Sequence, residues 1–243
     1  MNLHLLQLGD SALPIGGYSH SWGLEAVIDR GLVRDAIGLE SWVRSWLHQV
    51  VGPLEGIIVA VVCRAVQEKN WPTVRHASDI LQASLTPSTL RSASREMGQQ
   101  LLALAEAWPW ANPSDELRVM SDESTIMAGH SSLITHHSSL TNAHEWHHAV
   151  VFATLAAAAP ASPDVAVAVY LHQAALGVIS AGVRAIPIGH THGQQILARL
   201  HDDLNDLARE LADRDLETAG SFCPAYEILC YAQTQLYTRL FRS

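Results

Sequence analysis

Apolar side chains recur at intervals of three and four residues along most of this chain, which is the spacing of one face of an α-helix. A clear case runs from Leu39 to Val50, where every apolar position fits that spacing. Alternation with a period of two residues, typical of strands, is scarce. The pattern predicts helices over Leu39–Val50, Leu54–Val66, Trp146–Ala159, Val165–Arg184, Gly193–Asp213 and Pro224–Phe241, with shorter ones after Gly23 and after Pro87.

These helices predict an all-α fold, a single-domain bundle of roughly eight to ten helices over residues 1–243. Pro53 is expected to separate two of the helices, because proline lacks the amide that an α-helix needs. Ala168, Ala175 and Gly182 lie seven residues apart and predict close packing of one helix against its neighbours. A segment rich in Ser, Thr and His, about residues 120–143, is typical of a flexible loop.

Composition narrows the class of protein. Apolar residues make up 48% of the 243, enough for a sizeable core, and the formal charge of −9 argues against binding nucleic acid or anionic membranes. The three cysteines form no CxxC pair, and no targeting segment is visible, so we expect a cytoplasmic protein with free thiols. The stretch 165–186 is long enough to span a membrane, but its internal polar residues favour a buried central helix.

No common catalytic motif occurs, neither a P-loop nor a nucleophile elbow, HExxH or GxGxxG. Histidine is the conspicuous reactive residue, with fourteen in the chain. On a helix, His144, His147 and His148 would share one face, a spacing that can chelate Ni²⁺ or Zn²⁺. The alternative is that they border a helix and a polar loop without any metal, so these three residues are weak metal candidates.

Two bends between predicted helices contain proline and glycine residues that specify their backbone conformation more closely than in an ordinary connecting loop. In LPIGGYSHSWGLE, residues 13–25, Pro14 presets one backbone angle, while Gly16 and Gly17 permit positive φ. In IPIGHTHGQQ, residues 186–195, Pro187 and Gly189 separate two predicted helices. The second bend could bind an anion at a helix N-terminus, or it could simply cap that helix.

Two further features suggest contacts made by polar and aromatic side chains. Arg184 lies in the last turn of its predicted helix, where the helix dipole favours a cation; a buried pair with a carboxylate such as Glu25 is the more demanding alternative. The closing segment TQLYTRLFRS places aromatic residues beside arginines, which suggests docking onto the protein's own core or onto a partner.

Four motifs, in this order along the chain, resemble the urease accessory protein F family: LPIGGYSHSWGLE, SREMGQQLL at 94–102, VRAIPIGHTHGQ at 183–194 and YTRLFRS at 237–243. HHAVVFA at 147–153 is a weaker match. Together the motifs cover almost the whole chain. One departure is His190, which stands where the family is expected to carry Gln.

The resemblance implies a helical cytoplasmic protein with no intrinsic cofactor and no catalytic residues. It also implies a homodimer that assembles with accessory protein D/H and with the GTPase, accessory protein G, to insert nickel into apo-urease; the nickel is handled by the complex. Glu25 and Arg184 are then expected to tune the GTPase contact, and the closing segment to contact the D/H protein.

The motifs supply two sets of candidate residues. Partner contacts are expected from Tyr18, Glu25, Arg95, Arg184, Gln194, Tyr237, Arg239, Phe241 and Arg242. A structural role is expected for Pro14, Gly16, Gly17, Pro187, Gly189 and Gly193.

Two other functions compete with this interpretation. His190, His192 and the His201–Asp202 pair could belong to a metal-dependent helical phosphohydrolase, which would need a convergent set of ligands. The His-rich segment alone would suit a simple nickel-binding protein.

Overall fold

The computed structural model describes residues 2–111 and 146–243, and these residues form helices and turns without any strand. The all-α prediction is therefore confirmed. The predicted loop at about 120–143 lies outside the described residues. Nine helices are described: α1 Leu3–Leu8, α2 Leu24–Asp29, α3 Ala36–Gln67, α4 Trp71–Ser84, α5 Ser88–Ala105, α6 His148–Ala158, α7 Pro163–Ala185, α8 His190–Ala212 and α9 Pro224–Gln233. Short 3-10 turns cover Gly17–Ser19 and Leu216–Thr218.

The core is built around α6 and the second half of α3. Helix α6 is apolar on every side, and nine of its residues, His148 to Ala156, are buried. A helix without a polar face is stable only when other helices surround it. Helices α3 and α5 pack on α6, while α7 and α8 form a long antiparallel pair beside them.

The small residues predicted to allow close helix packing do so at Gly182 of α7. A Cβ atom placed there would lie 2.5 Å from Cδ2 of Leu39 in α3, far inside van der Waals contact. Gly193, at the start of α8, is similarly close to α7, with 3.0 Å from its ideal Cβ to Cγ2 of Val183. Both glycines therefore set the distance between helices.

Pro53 does not end a helix, and the prediction of a break there is wrong. One helix continues from Ala36 to Gln67, and its middle section, Leu47–Gly56, is π-helical. In a π turn each hydrogen bond spans five residues instead of four, so the backbone is wider and can accept a proline ring that would clash inside an α-helix. Glu55 belongs to this section and lines a cavity inside the bundle.

The last helix is shorter than predicted. Helix α9 ends at Gln233 and not near Phe241, and residues 234–243 form turns and bends. The backbone amides of Leu240 and Phe241 donate to the side chain of Glu25, so they are not available for helical hydrogen bonds.

Two helices are long and apolar enough to cross a membrane by length and composition, Ala36–Gln67 and Pro163–Ala185. In the described fold, 67% and 50% of their most apolar windows are buried against other helices. Packing inside the protein thus accounts for much of their apolar character, as the sequence predicted for α7.

We expect Gly98→Ala to destabilise the protein strongly. The added Cβ would overlap the carbonyl oxygen of Trp146, a backbone atom that cannot rotate away, so α5 and α6 would have to separate. The expected loss is about 2–4 kcal/mol in the free energy of unfolding, measured by urea denaturation.

Gly177→Ala is the matched control, because no atom lies within 4 Å of the place that its Cβ would take in the middle of α7. Replacing a helical glycine in open space should stabilise the protein by up to about 1 kcal/mol. Equal losses in the two variants would show that helix contact at Gly98 does not limit stability.

Candidate functional site

The candidate site lies where the first bend of the chain meets its last residues. We call residues 13–25 the N-terminal loop and residues 234–243 the tail. Gly16 (φ +86°) and Gly23 (φ +82°) adopt left-handed backbone conformations, as does Trp22 at φ +54°. Only glycine adopts this conformation at little cost, which accounts for Gly16 in the bend. Gly17, in contrast, begins the 3-10 turn without positive φ.

The buried carboxylate of Glu25 holds the tail in place. Its Oε1 accepts a hydrogen bond from the amide of Leu240 at 2.6 Å, and its Oε2 accepts one from Phe241 at 3.2 Å. Backbone amides donating to a charged carboxylate make stronger hydrogen bonds than neutral pairs do. Glu25 is therefore a structural anchor for the tail, and its side chain is not displayed on the surface.

A second set of hydrogen bonds fixes the last residue of the tail. The carbonyl oxygen of Ser243 accepts from the backbone amides of Ser21 and Trp22, at 2.5 and 3.0 Å. The Ser243 hydroxyl lies 2.7 Å from Nδ1 of His20, and Ser21 is hydrogen-bonded to Gln233 of α9. Burial lowers the pKa of His20, with a further decrease from the charge of Arg242. The neutral imidazole is therefore favoured in this contact.

Arg184 links the N-terminal loop and the tail through its guanidinium group. The group lies over the rings of Tyr18, 3.6 Å from the centroid, and of Phe241, at 4.6 Å. Its Nη2 also donates to the Tyr18 carbonyl oxygen at 2.8 Å. An arginine between two aromatic faces gains cation–π attraction from both. This stacking explains Arg184 more directly than the buried pair with Glu25 that the sequence left open.

The other predicted contact residues are spread over neighbouring surfaces. Arg242 pairs with Glu96 of α5 at 3.0 Å, with both side chains largely in solvent. Arg95 is half-buried on the same helix. Gln194 and Arg239 are exposed, Gln194 near the start of α8 and Arg239 in the tail.

The second bend caps helix α8. Pro187 and Gly189 lie on the surface between α7 and α8, and the Gly189 amide donates to Nδ1 of His192 at 3.2 Å. A backbone amide at the helix start is thus satisfied by a side chain of the same turn. The structural role of Pro187 and Gly189 stays a prediction, as does that of Pro14, which is exposed in the N-terminal loop.

Large apolar side chains on the surface concentrate near the end of the chain. Tyr237 is fully exposed and Leu240 is 71% exposed, while Tyr18 of the N-terminal loop is 71% exposed. Helix α9 and the turn before it add further exposed residues: Phe222, Ile228 and Tyr231. Exposed large apolar side chains are candidates for protein contact.

A group of polar side chains that no sequence motif predicted lies under the N-terminal loop. Glu55 of the π-helical section interacts electrostatically with Tyr170, and the ring of His148 lies 5.5 Å from that of Tyr170. Burial raises the pKa of Glu55 to about 7 and lowers that of His148 to about 4. The sequence feature that could have identified Glu55 is its position as a single carboxylate inside the apolar run from Val50 to Val62.

The predicted histidine ligands do not form a shared helical face in the described residues. His147 precedes α6 with extended backbone, and its ring nitrogens contact Ser94 Oγ at 3.1 Å and Gln82 Oε1 at 3.2 Å. His148 is buried among aromatic rings, and His144 lies outside the described residues. Within residues 2–111 and 146–243, no three His, Cys, Asp or Glu side chains group closely enough to hold a metal ion. The described structure therefore gives no support to the two-metal phosphohydrolase alternative.

Comparison with known proteins identifies relatives that align with nearly all of this chain. The family model described as UreF matches residues 33–201. Urease accessory protein UreF of Ectopseudomonas mendocina is 31% identical, with 98% of this chain and 97% of the relative aligned. The protein of that name from Cupriavidus metallidurans is 31% identical (99% and 97% aligned), and that from Corynebacterium efficiens is 27% identical (99% and 96%).

We expect Glu25→Gln to loosen the tail. Glutamine has one acceptor oxygen and no charge, so it cannot hold both the Leu240 and Phe241 amides as the carboxylate does. Losing about 1–2 kcal/mol of local stability corresponds to roughly tenfold faster amide hydrogen exchange across the tail. Glu96→Gln is the control, since the exposed pair of Glu96 with Arg242 should contribute under about 1 kcal/mol. Similar exchange rates in the two variants would contradict the anchoring role of Glu25.

We expect Glu55→Gln to change how stability depends on pH. The Glu55 pKa is raised from 4.5 to about 7 in the folded state, so its stabilising contribution is present below pH 4.5 and is lost as the pH rises through 7. At pH 8 the buried charge costs on the order of 3 kcal/mol, which glutamine avoids. Urea denaturation at pH 5 and pH 8 should show the variant gaining stability relative to the wild type at pH 8. Equal stabilities of the variant and the wild type at both pH values would exclude the buried charge.

Proposed function

This chain belongs to the UreF family of urease accessory proteins, and we propose on that premise that it acts as a non-catalytic scaffold in the assembly that delivers nickel to apo-urease. Its partners in this proposal are accessory protein D/H and the GTPase, accessory protein G. The scaffold works in the cytoplasm as a homodimer, with no cofactor of its own, and nickel is the cargo of the complex.

One observation carries the proposal: exposed aromatic and apolar side chains are held in fixed positions by buried anchors. Glu25 and Ser21 bind the tail through its backbone, which leaves Tyr237 and Leu240 in solvent. Large exposed apolar residues on an ordered segment are costly for an isolated protein and useful for one that docks. The tail is thus the proposed contact for the D/H protein.

Arg184 and Tyr18 lie where a contact with a partner would depend on the position of the tail. Because the guanidinium stacks on Tyr18 and Phe241 at once, a partner that displaces the tail would change the surroundings of Arg184 and release the hydrogen bonds between the tail and the N-terminal loop. We propose that the GTPase binds at this junction. The role proposed for Glu25 is indirect, since its carboxylate faces the tail backbone and not the solvent.

The test is capture of the two partners by the full chain and by surface variants. We expect the double variant Tyr237→Ala/Leu240→Ala to lose most capture of the D/H protein, because truncating central apolar contacts typically costs over about 1 kcal/mol each. The control is Leu3→Ala/Leu6→Ala, which removes two apolar side chains of similar exposure from α1. Pull-down with purified partners measures the difference.

Circular dichroism should show equal helix content in both variants, since all four side chains are exposed. In cells, loss of the chain should leave urease polypeptide without nickel. Undiminished capture of the D/H protein by the tail variant would overturn the proposed docking surface.

A further inference from the structure

A cavity of about 100 Å³ lies between the N-terminal loop and the inner helices. Its roof comes from residues 10–22, and its floor from α3, α5, α6 and α7. A single water needs about 10–15 Å³ by the same measure, and an engineered cavity of about 150 Å³ accepts benzene. The space therefore suits a few ordered waters or one small molecule of roughly ring size.

The floor carries three polar groups close together. The Glu55 carboxyl and the Tyr170 hydroxyl interact electrostatically, and His148 lies against the Tyr170 ring. Among the described residues, Nε2 of His148 has no hydrogen-bond partner although the side chain is only 6% exposed. A buried polar atom without a partner is uncommon and destabilising, and it points to a group that the protein itself does not supply.

Most of the remaining lining surface is apolar, and Ser11, Ser94, Gln173 and Ser180 add polar side chains. Leu13 and Ile15 contribute from the roof, and Trp46 and Met97 from the floor. Sites for small organic molecules have this composition, with mostly apolar walls and a few polar groups that fix the orientation.

The electrostatics of the floor favour an uncharged occupant. Burial raises the pKa of Glu55 and lowers that of His148, so both side chains are pushed toward their neutral forms. A charged ligand would meet the same desolvation penalty. Arg184 and Asp10, of opposite charge, line the cavity from its edges.

We propose that this cavity binds a small uncharged molecule with a ring-sized apolar body and a group that both donates and accepts hydrogen bonds. The polar group binds at the floor, where it supplies the missing partner of His148 Nε2 beside Glu55 and Tyr170, and the apolar body contacts the roof of the cavity. Because the same loop anchors the tail, an occupied cavity favours the ordered arrangement of both segments.

The test uses phenol as the probe. Benzene is the matched compound without the hydroxyl group, and benzylammonium is the matched compound with a charge. Binding to the full chain is followed by ligand-observed and protein-observed NMR. We expect phenol to bind at least about fivefold more tightly than benzene, and benzylammonium not to compete, because only phenol satisfies the polar floor without a charge.

Tyr170→Phe keeps the ring and removes the hydroxyl. It should therefore lower the affinity for phenol by about fivefold to tenfold and leave the affinity for benzene unchanged. Tyr231→Phe is the control, since that hydroxyl contacts the Thr86 carbonyl on the surface, away from the cavity. If Tyr170→Phe folds poorly, Glu55→Met removes the other polar group of the floor at similar side-chain length, and the same loss of affinity for phenol relative to benzene is expected.

Bound phenol should also slow hydrogen exchange at the amides of Ser21 and Trp22, which donate to the tail. Three results would overturn the proposal. The first is that phenol shows no saturable binding, which would mean that the cavity holds water alone. The second is that phenol and benzene bind with equal affinity. The third is that benzylammonium binds more tightly than phenol.

Discussion

The hydrogen bonds from the tail amides to the Glu25 carboxylate connect two parts of the chain that lie 215 residues apart. Ordering the ten residues of the tail costs conformational entropy, and a single neutral hydrogen bond would offset little of it. The buried carboxylate, the Ser243 carbonyl and the Arg184 stack act on the same ten residues, so their contributions support one another. The order of the tail depends on this combination.

The helical fold could be predicted from the sequence because side-chain periodicity is a local property. The two errors occurred where distant contacts override local preference. Pro53 predicts a helix end, but the π-helical section accommodates it within one continuous helix. The segments before and after this section both pack into the core. The tail reads as helix through Phe241, but its amides have a better acceptor in Glu25. Neither acceptor nor packing partner can be identified from neighbours in sequence.

The candidate site was predicted in part, and the roles of its residues shift once geometry is known. The sequence motifs that resemble the family meet at one place: the N-terminal loop, the end of α7 and the tail all contact one another. Their spacing along the chain gives no indication of that meeting. Glu55 was not predicted, because a lone carboxylate in an apolar run belongs to no motif and has no partner nearby in sequence.

The arrangement separates residues that hold the site from residues that present it. Glu25, Ser21 and Phe241 are buried: the first two bind the tail backbone, and Phe241 lies against the Arg184 guanidinium. Tyr18, Tyr237 and Leu240 remain in solvent. A protein that acts by docking needs both sets, because exposed side chains lose entropy on binding unless the backbone beneath them is already fixed. Preorganising the tail reduces that cost before a partner arrives. The same logic explains why the strongest polar contacts of the site face inward: they set the position of the apolar surface, and the surface then determines which partner can bind.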